Sequence, residues 1–183
     1  MHVYRVEFSV TSLAAIAAGC IVATGCARAW TPPADWTPAP KPAPYTVVTL
    51  RVGDGRLPLQ LAKAAEQATG LGQEPYVELT SRWCRACHWM DHGLSDPQLS
   101  RAFGGTYVIR VDVDLWEGRL EGTGLDYHTG PIPAFIALSD EGKPVGDWAD
   151  ARVWQLEIPR DAAPALAQFF HGQDWRTTMV GTR

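Results

Sequence analysis

The sequence predicts an α/β domain with a mixed central sheet and helices on both faces. Three observations carry this. Segments of β-branched alternation are separated by segments of helical spacing, which implies crossovers and parallel pairing. A turn at Asp140-Glu141-Gly142-Lys143 joins two late strands, which adds an antiparallel hairpin. The chain has 183 residues, 46% hydrophobic and 20% charged, enough for one globular domain with extra length but not for two.

The N-terminal segment, residues 1–29, reads as an export signal. Arg5 precedes an apolar stretch from Leu13 to Ala23, the length of a signal-peptide core and short for a membrane span. Ala27-Arg28-Ala29 has the small-x-small form of a cleavage site. Ala23-Thr24-Gly25-Cys26 resembles a bacterial lipobox, and Ala17-Ala18-Gly19-Cys20 a weaker one, so a lipid anchor on Cys26 or Cys20 is the other exit. Both have Ala where Leu is usual. An uncleaved anchor is a third reading. Residues 30–44 form a linker, with six prolines among the fourteen residues from Thr31 to Pro44. Such a run excludes helix and central strand and favours extended polyproline II.

The domain proper spans residues 45–183. Tyr45 to Val52 alternates and is rich in Val and Thr, hence a strand, and Gly53-Asp54-Gly55 is a turn. Leu57, Leu61, Ala64, Ala65 and Ala68 share one helical face, ended by Gly70 and Gly72. Pro75 to Thr80 is a short buried strand that runs into Trp83-Cys84-Arg85-Ala86-Cys87. A helix starts between Cys87 and His92. Asp96 caps the next, with Pro97 at its first position. Thr106 to Val113 is a strand, Leu115 to Gly130 is glycine-rich and unassigned, and Pro133 to Leu138 and Pro144 to Trp148 form the hairpin. Asp161 to Phe170 is a helix, with Pro164 expected in its first turn.

Of four cysteines, only Cys84 and Cys87 belong to the domain. A bridge across two residues closes almost no loop and stabilises little, so the pair points to chemistry. At a helix start, free backbone N–H groups and the helix dipole favour a thiolate on Cys84, and Arg85 adds positive charge. Cys87, one turn on, can attack a mixed disulfide. The net charge of -4, from 16 basic and 20 acidic residues, comes without a basic stripe and excludes a nucleic-acid partner.

These residues resemble the thioredoxin-like superfamily. The resemblance covers roughly Pro75 to Ala149. It implies that Glu78, six residues before Cys84, is a buried carboxylate serving the resolving Cys87, and that Pro133 is a cis-proline whose loop presents backbone to substrate. Trp83, Arg85, Ala86 and Ile132 become substrate-contact candidates, Trp83 equally fitting plain core. Asp96-Pro97 and the small residue Ala86 resemble the periplasmic thioredoxin-like domain of the transmembrane reductase DsbD. The departures are the Arg85-Ala86 interior where Gly-Pro is usual, Glu at 78 where Asp is commoner, and the glycine-rich stretch where the family has a helix.

The resemblance implies an exported protein, periplasmic or tethered to the membrane facing the periplasm, whose cycle needs no cofactor beyond the Cys84–Cys87 pair, with protein thiols and disulfides as partners and a membrane thiol reductase as electron donor. Reduction is the favoured direction in an oxidising compartment such as the periplasm. Three other readings stay open. Cys84 to His88 matches the Cys-x-x-Cys-His haem attachment pattern, with His88 as axial ligand. Cys84, Cys87, His88 and His92 could ligate zinc, although neighbouring Cys87 and His88 point different ways on a helix. The domain could also be a binding module with idle cysteines. Asp112 and Asp114 read as solvated, and Trp116, Trp148, Trp154 and Trp175 as packing residues.

Overall fold

The structure, a computed structural model, describes residues 3–5, 43–125, 130–151 and 159–171. Its sheet has six strands: β1 (Val3–Arg5), β2 (Thr46–Thr49), β3 (Glu74–Thr80), β4 (Thr106–Asp112), β5 (Ala134–Leu138) and β6 (Pro144–Asp150). Their spatial order is β1-β2-β4-β3-β5-β6. Strands β2, β4 and β3 are parallel, while β5 and β6 run antiparallel beside β3. The helices are α1 (Leu57–Gly70), α2 (Arg85–Gly93), α3 (Pro97–Ala102) and α4 (Pro159–Phe170). The arrangement is a thioredoxin-like fold, a mixed sheet with helices on both faces.

Strand β1 falls inside the segment read as an export signal and pairs antiparallel with β2 at the sheet edge. The remaining five strands are continuous without it. Cys20 and Cys26, the proposed cleavage site, most of the proline-rich linker, Trp154 and Trp175 lie outside the described residues.

Period-two alternation divides the core between the two faces. Val77, Leu79, Ile109, Val111 and Ile136 face α1 and meet Leu57, Leu61, Ala64 and Ala68. Tyr76, Val108 and Phe135 face the other way, onto Met90, Leu99, Phe103, Leu166 and Phe170 of the helical layer. Phe103, Phe135 and Phe170 pack with tilted and edge-on rings 5.0–5.8 Å apart, an arrangement that favours the ring quadrupoles. Helix α3 begins as the sequence predicts, with Asp96 Oδ1 accepting the N–H groups of Gln98 and Leu99 and Pro97 in the first turn.

Three expectations shift. The first domain strand is shorter than predicted, because the chain leaves the sheet after Thr49 and tightens into a 3-10 turn at Val52–Asp54. Helix α2 starts at Arg85, earlier than the Cys87 expected, because Cys84 itself caps it. Pro164 lies inside α4 and not in its first turn. The helix begins at Pro159, a residue type preorganised for the first helical position.

The β5–β6 turn explains one glycine. Gly142 has φ +75°, and a Cβ there would stand 2.5 Å from the Ala62 backbone nitrogen of α1. The hairpin therefore packs backbone against backbone. Gly146 has a similar φ of +77° but open space around it. Gly142→Ala should cost about 3 kcal/mol, combining a left-handed residue with overpacking, and Gly146→Ala only about 1 kcal/mol. Urea unfolding of the two variants tests this; equal losses would show that the α1 contact is not what requires glycine.

Candidate active site at the Cys84–Cys87 pair

Strand β3 ends at Thr80, and Ser81 begins the turn that delivers Cys84 to the start of α2. Cys84 is the N-cap residue: its backbone is extended, and its Sγ accepts the Cys87 N–H at 3.0 Å. A sulfur so placed takes the role that a capping oxygen takes elsewhere, satisfying one orphan donor of the helix. The same N–H and the helix dipole stabilise negative charge once the sulfur is a thiolate. In the structure Cys84 and Cys87 are joined as a disulfide, with Cα atoms 5.2 Å apart. Both are buried, Cys84 being 3% exposed.

The chain approaches this bond from two further sides. The Ile132–Pro133 peptide is cis. The Ile132 carbonyl oxygen lies 3.4 Å from Cys84 Sγ. Trp83, next to Cys84 in sequence, is 66% exposed and so is not a core residue. Ala86 packs partly buried against the core that holds both cysteines. Arg85 is exposed, and its guanidinium sits over the Trp89 ring, 5.4 Å from the centroid. Its charge is thus engaged by an aromatic face, a cation–π contact, as well as lying next to Cys84 in sequence.

Glu78 is 1% exposed. It lies directly across the β3–β4 pairing from Arg110, and Arg110 Nε donates to Glu78 Oε2 at 2.7 Å. The other nitrogen arm of Arg110 bonds Asp91 of α2. Asp91 and Cys87 are four residues apart on one helix, hence on one face. The line Glu78–Arg110–Asp91 therefore ties the sheet to the helix that carries the cysteines. Glu78 Oε1 is buried without a hydrogen-bond partner. Burial pushes the Glu78 carboxyl above its ordinary pKa, and Asp91 pushes the same way; Arg110 opposes both without overcoming them.

Arg110 and Asp91 were not among the residues singled out from sequence. A signal for Arg110 existed: alternation along Tyr107-Val108-Ile109-Arg110-Val111 puts a cation on a covered face of a strand, where it needs a carboxylate. Asp91 gave none. Asp112 is a correction. It is buried, not solvated, and its Oδ1 accepts the N–H groups of Asp114 and Leu115, because the chain turns sharply at the end of β4. Asp114 is exposed but engaged, accepting the Ser81 hydroxyl at 2.7 Å. Trp116 is buried, and Trp148 packs partly buried on the same core.

His88 enters both the haem and the zinc readings. Its Nε2 is 2.7 Å from the Arg82 carbonyl oxygen. That oxygen can only accept, so Nε2 holds a proton there. Among the described residues, no group of three or more His, Cys, Asp or Glu side chains is arranged to hold a metal ion.

The fold is thioredoxin-like, and it places the disulfide-bonded Cys84 and Cys87 at the start of α2. No family model and no curated protein matches the chain. Among solved structures it is similar to a disulphide isomerase from Xylella fastidiosa Temecula1, at 17% identity and TM-score 0.43, over 62% of this chain and 88% of that one. It is also similar to thioredoxin O1 from Arabidopsis thaliana in the oxidized state, at 18% identity and TM-score 0.36, over 57% of this chain and 84% of that one. Thioredoxin NaTrxh from Nicotiana alata matches at 19% identity and TM-score 0.36, over 62% and 85%.

The raised pKa of Glu78 has a consequence for stability. The folded protein holds this proton to higher pH than the unfolded chain does. The contribution is complete below the ordinary glutamate pKa and is lost as pH rises through the raised value. Glu78→Gln removes that titration. The stability of the wild type relative to the variant should therefore fall with rising pH, by at most about 1.4 kcal/mol per pH unit for one proton. Urea unfolding of both oxidised proteins from pH 4 to pH 8 measures it; parallel curves would contradict the assignment.

Proposed function

We propose that the protein is an exported thiol:disulfide oxidoreductase that exchanges disulfides with protein substrates. The observation that carries this is Cys84 Sγ at the cap of α2, accepting the Cys87 N–H and bonded to Cys87. One sulfur is held where a thiolate is stabilised, and the second is held where it can displace whatever the first has captured.

In the reductive cycle the Cys84 thiolate attacks one sulfur of a substrate disulfide. The substrate S–S bond breaks, a mixed disulfide forms, and one substrate thiolate leaves and takes a proton. Cys87 then loses its proton and attacks Cys84 Sγ. The second substrate thiolate leaves, and the Cys84–Cys87 disulfide remains. Glu78 is the group proposed to accept the Cys87 proton, because burial raises its pKa and makes its carboxylate a stronger base. The Ile132 carbonyl and the Pro133 loop flank the sulfur that is attacked, and Trp83 borders its approach. No further cofactor enters the cycle. Two electrons must return to the disulfide from a dithiol donor.

For that donor we propose a membrane thiol reductase, with export through the N-terminal segment and either cleavage after Ala29 or a lipid on Cys26 or Cys20. The likeness of Asp96-Pro97 and Ala86 to the periplasmic domain of DsbD supports the reductive direction. A potential for the Cys84–Cys87 pair near that of thioredoxin, about -270 mV, agrees with reduction, and one near DsbA, about -120 mV, would reverse the assignment.

Two variants test the roles. Cys87→Ala should accumulate mixed disulfides with a protein substrate such as insulin, and Cys84→Ala should accumulate none and lose turnover. Non-reducing electrophoresis and mass spectrometry read both. Trapping on Cys87 in the Cys84→Ala protein with undiminished turnover would exchange the two roles, and no trapping or reduction by any form would remove the enzymatic reading.

A further inference from the structure

An open cavity of about 600 Å³ lies beyond the carboxyl ends of two strands. Its walls come from two connections. One leaves β2, enters α1 and contributes Val52, Arg56 and Leu57; the other leaves β4 and contributes Trp116, Arg119 and Glu121. Strands β2 and β4 are parallel neighbours, so both connections start at the same edge of the sheet. That edge is where open α/β sheets receive ligands. The volume is that of a small-molecule site, roughly 300–1,000 Å³. Cys84 and Cys87 belong to the connection after β3 and do not line the cavity.

Three features of the lining favour an anion. Arg56 and Arg119 are exposed, and neither side chain is ion-paired among the described residues. Helix α1 begins at Leu57 with no side chain capping its first turn, so the positive end of a 14-residue helix meets the cavity uncompensated. Trp116 is 1% exposed and forms part of the wall, and its Nε1 is buried without a hydrogen-bond partner among the described residues. An indole N–H can only donate, and burying one unpaired costs stability that an acceptor would restore. Two arginines against Glu121 leave the lining with one net positive charge, which suits a ligand with one anionic group. Val52, Leu57 and the Trp116 ring give the cavity an apolar side.

We propose that this cavity binds a small organic anion. Its carboxylate or phosphate group lies between Arg56 and Arg119 and accepts the Trp116 N–H, and its apolar body rests on Val52 and Leu57. Guanidinium forks match the geometry of both anionic groups, making two bonds at once. The site is separate from the thiol chemistry and does not depend on whether Cys84 exchanges disulfides.

The test titrates the full-length protein with benzoate, phenyl phosphate, inorganic phosphate and benzyl alcohol, by calorimetry and by NMR of the indole N–H groups. Benzoate or phenyl phosphate should bind about tenfold more tightly than inorganic phosphate, which lacks the apolar body, and than benzyl alcohol, which lacks the charge. The tighter of the two tells a carboxylate site from a phosphate-ester site. The Trp116 indole signal, identified by its absence in Trp116→Phe, should move downfield as the N–H gains an acceptor. Arg56→Gln, Arg119→Gln and Trp116→Phe should each weaken binding about tenfold, and Glu121→Gln should strengthen it about threefold. Arg101→Gln, at an exposed cation of α3 outside the lining, should change nothing. The two lining arginines are exposed, so their variants leave the core intact and decide the question even where Trp116→Phe unfolds. Failure of both benzoate and phenyl phosphate to bind overturns the proposal, as does an unmoved Trp116 signal. An equal loss in Arg101→Gln and Arg119→Gln also overturns it, since it marks general attraction to the surface.

Discussion

The half-buried guanidinium of Arg110 fastens the helix that carries the cysteines to the sheet. Arg110 sits on β4 with one carboxylate beside it on β3 and another above it on α2. The Glu78 carboxylate is buried, and a buried charge is costly unless paired, so Arg110 offsets the cost of placing it on a central strand. Glu78 cannot move, because it belongs to the strand register. Asp91 can comply, because it belongs to a helix. The pairing therefore sets where α2 lies, and α2 sets where Cys84 and Cys87 lie.

This explains why the cysteines were easy to read and their support was not. Cys84 and Cys87 are three positions apart in sequence, and the strand before them and the helix after them follow from local pattern. Glu78 and Pro133 became legible through resemblance to a family, at fixed distances along the chain. The Arg110 pairing is set by how β3 and β4 align, and Asp91 by how α2 crosses the sheet. Neither relation is local. An arginine in the run Tyr107 to Val113 announces that it needs a partner without saying which one.

The segment from Leu115 onward was unreadable for a different reason. Its structure is made of turns held by side chains: Asp112 over two backbone N–H groups, and Thr123 over the Leu120 carbonyl and the Leu125 N–H. Glycines at 118, 122 and 124 with positive φ allow the reversals. Such a segment has no hydrophobic period to detect. Its apolar residues Trp116, Leu120 and Leu125 still fill the core, at spacings of four and five residues that mimic a helix without forming one. Asp112 looked solvated because a buried aspartate satisfied by backbone donors has no sequence partner to reveal it.

The proposed cycle asks for opposite surroundings at the two cysteines, and the start of a helix provides both. Cys84 must lose its proton readily, so it faces the backbone donor of Cys87 at the positive end of α2. Cys87 must keep its proton until a mixed disulfide exists, so it lies one turn further in, among apolar side chains. In the proposed cycle its proton passes to the ionised form of the Glu78 carboxyl. Burial raises the Glu78 pKa and so strengthens its carboxylate as a proton acceptor, while Arg110 favours the ionised form. Replacing Arg110 with a neutral residue would leave Glu78 protonated to still higher pH, and the base would be lost along with the anchor of the helix. Structural support and proton transfer thus depend on the same ion pair.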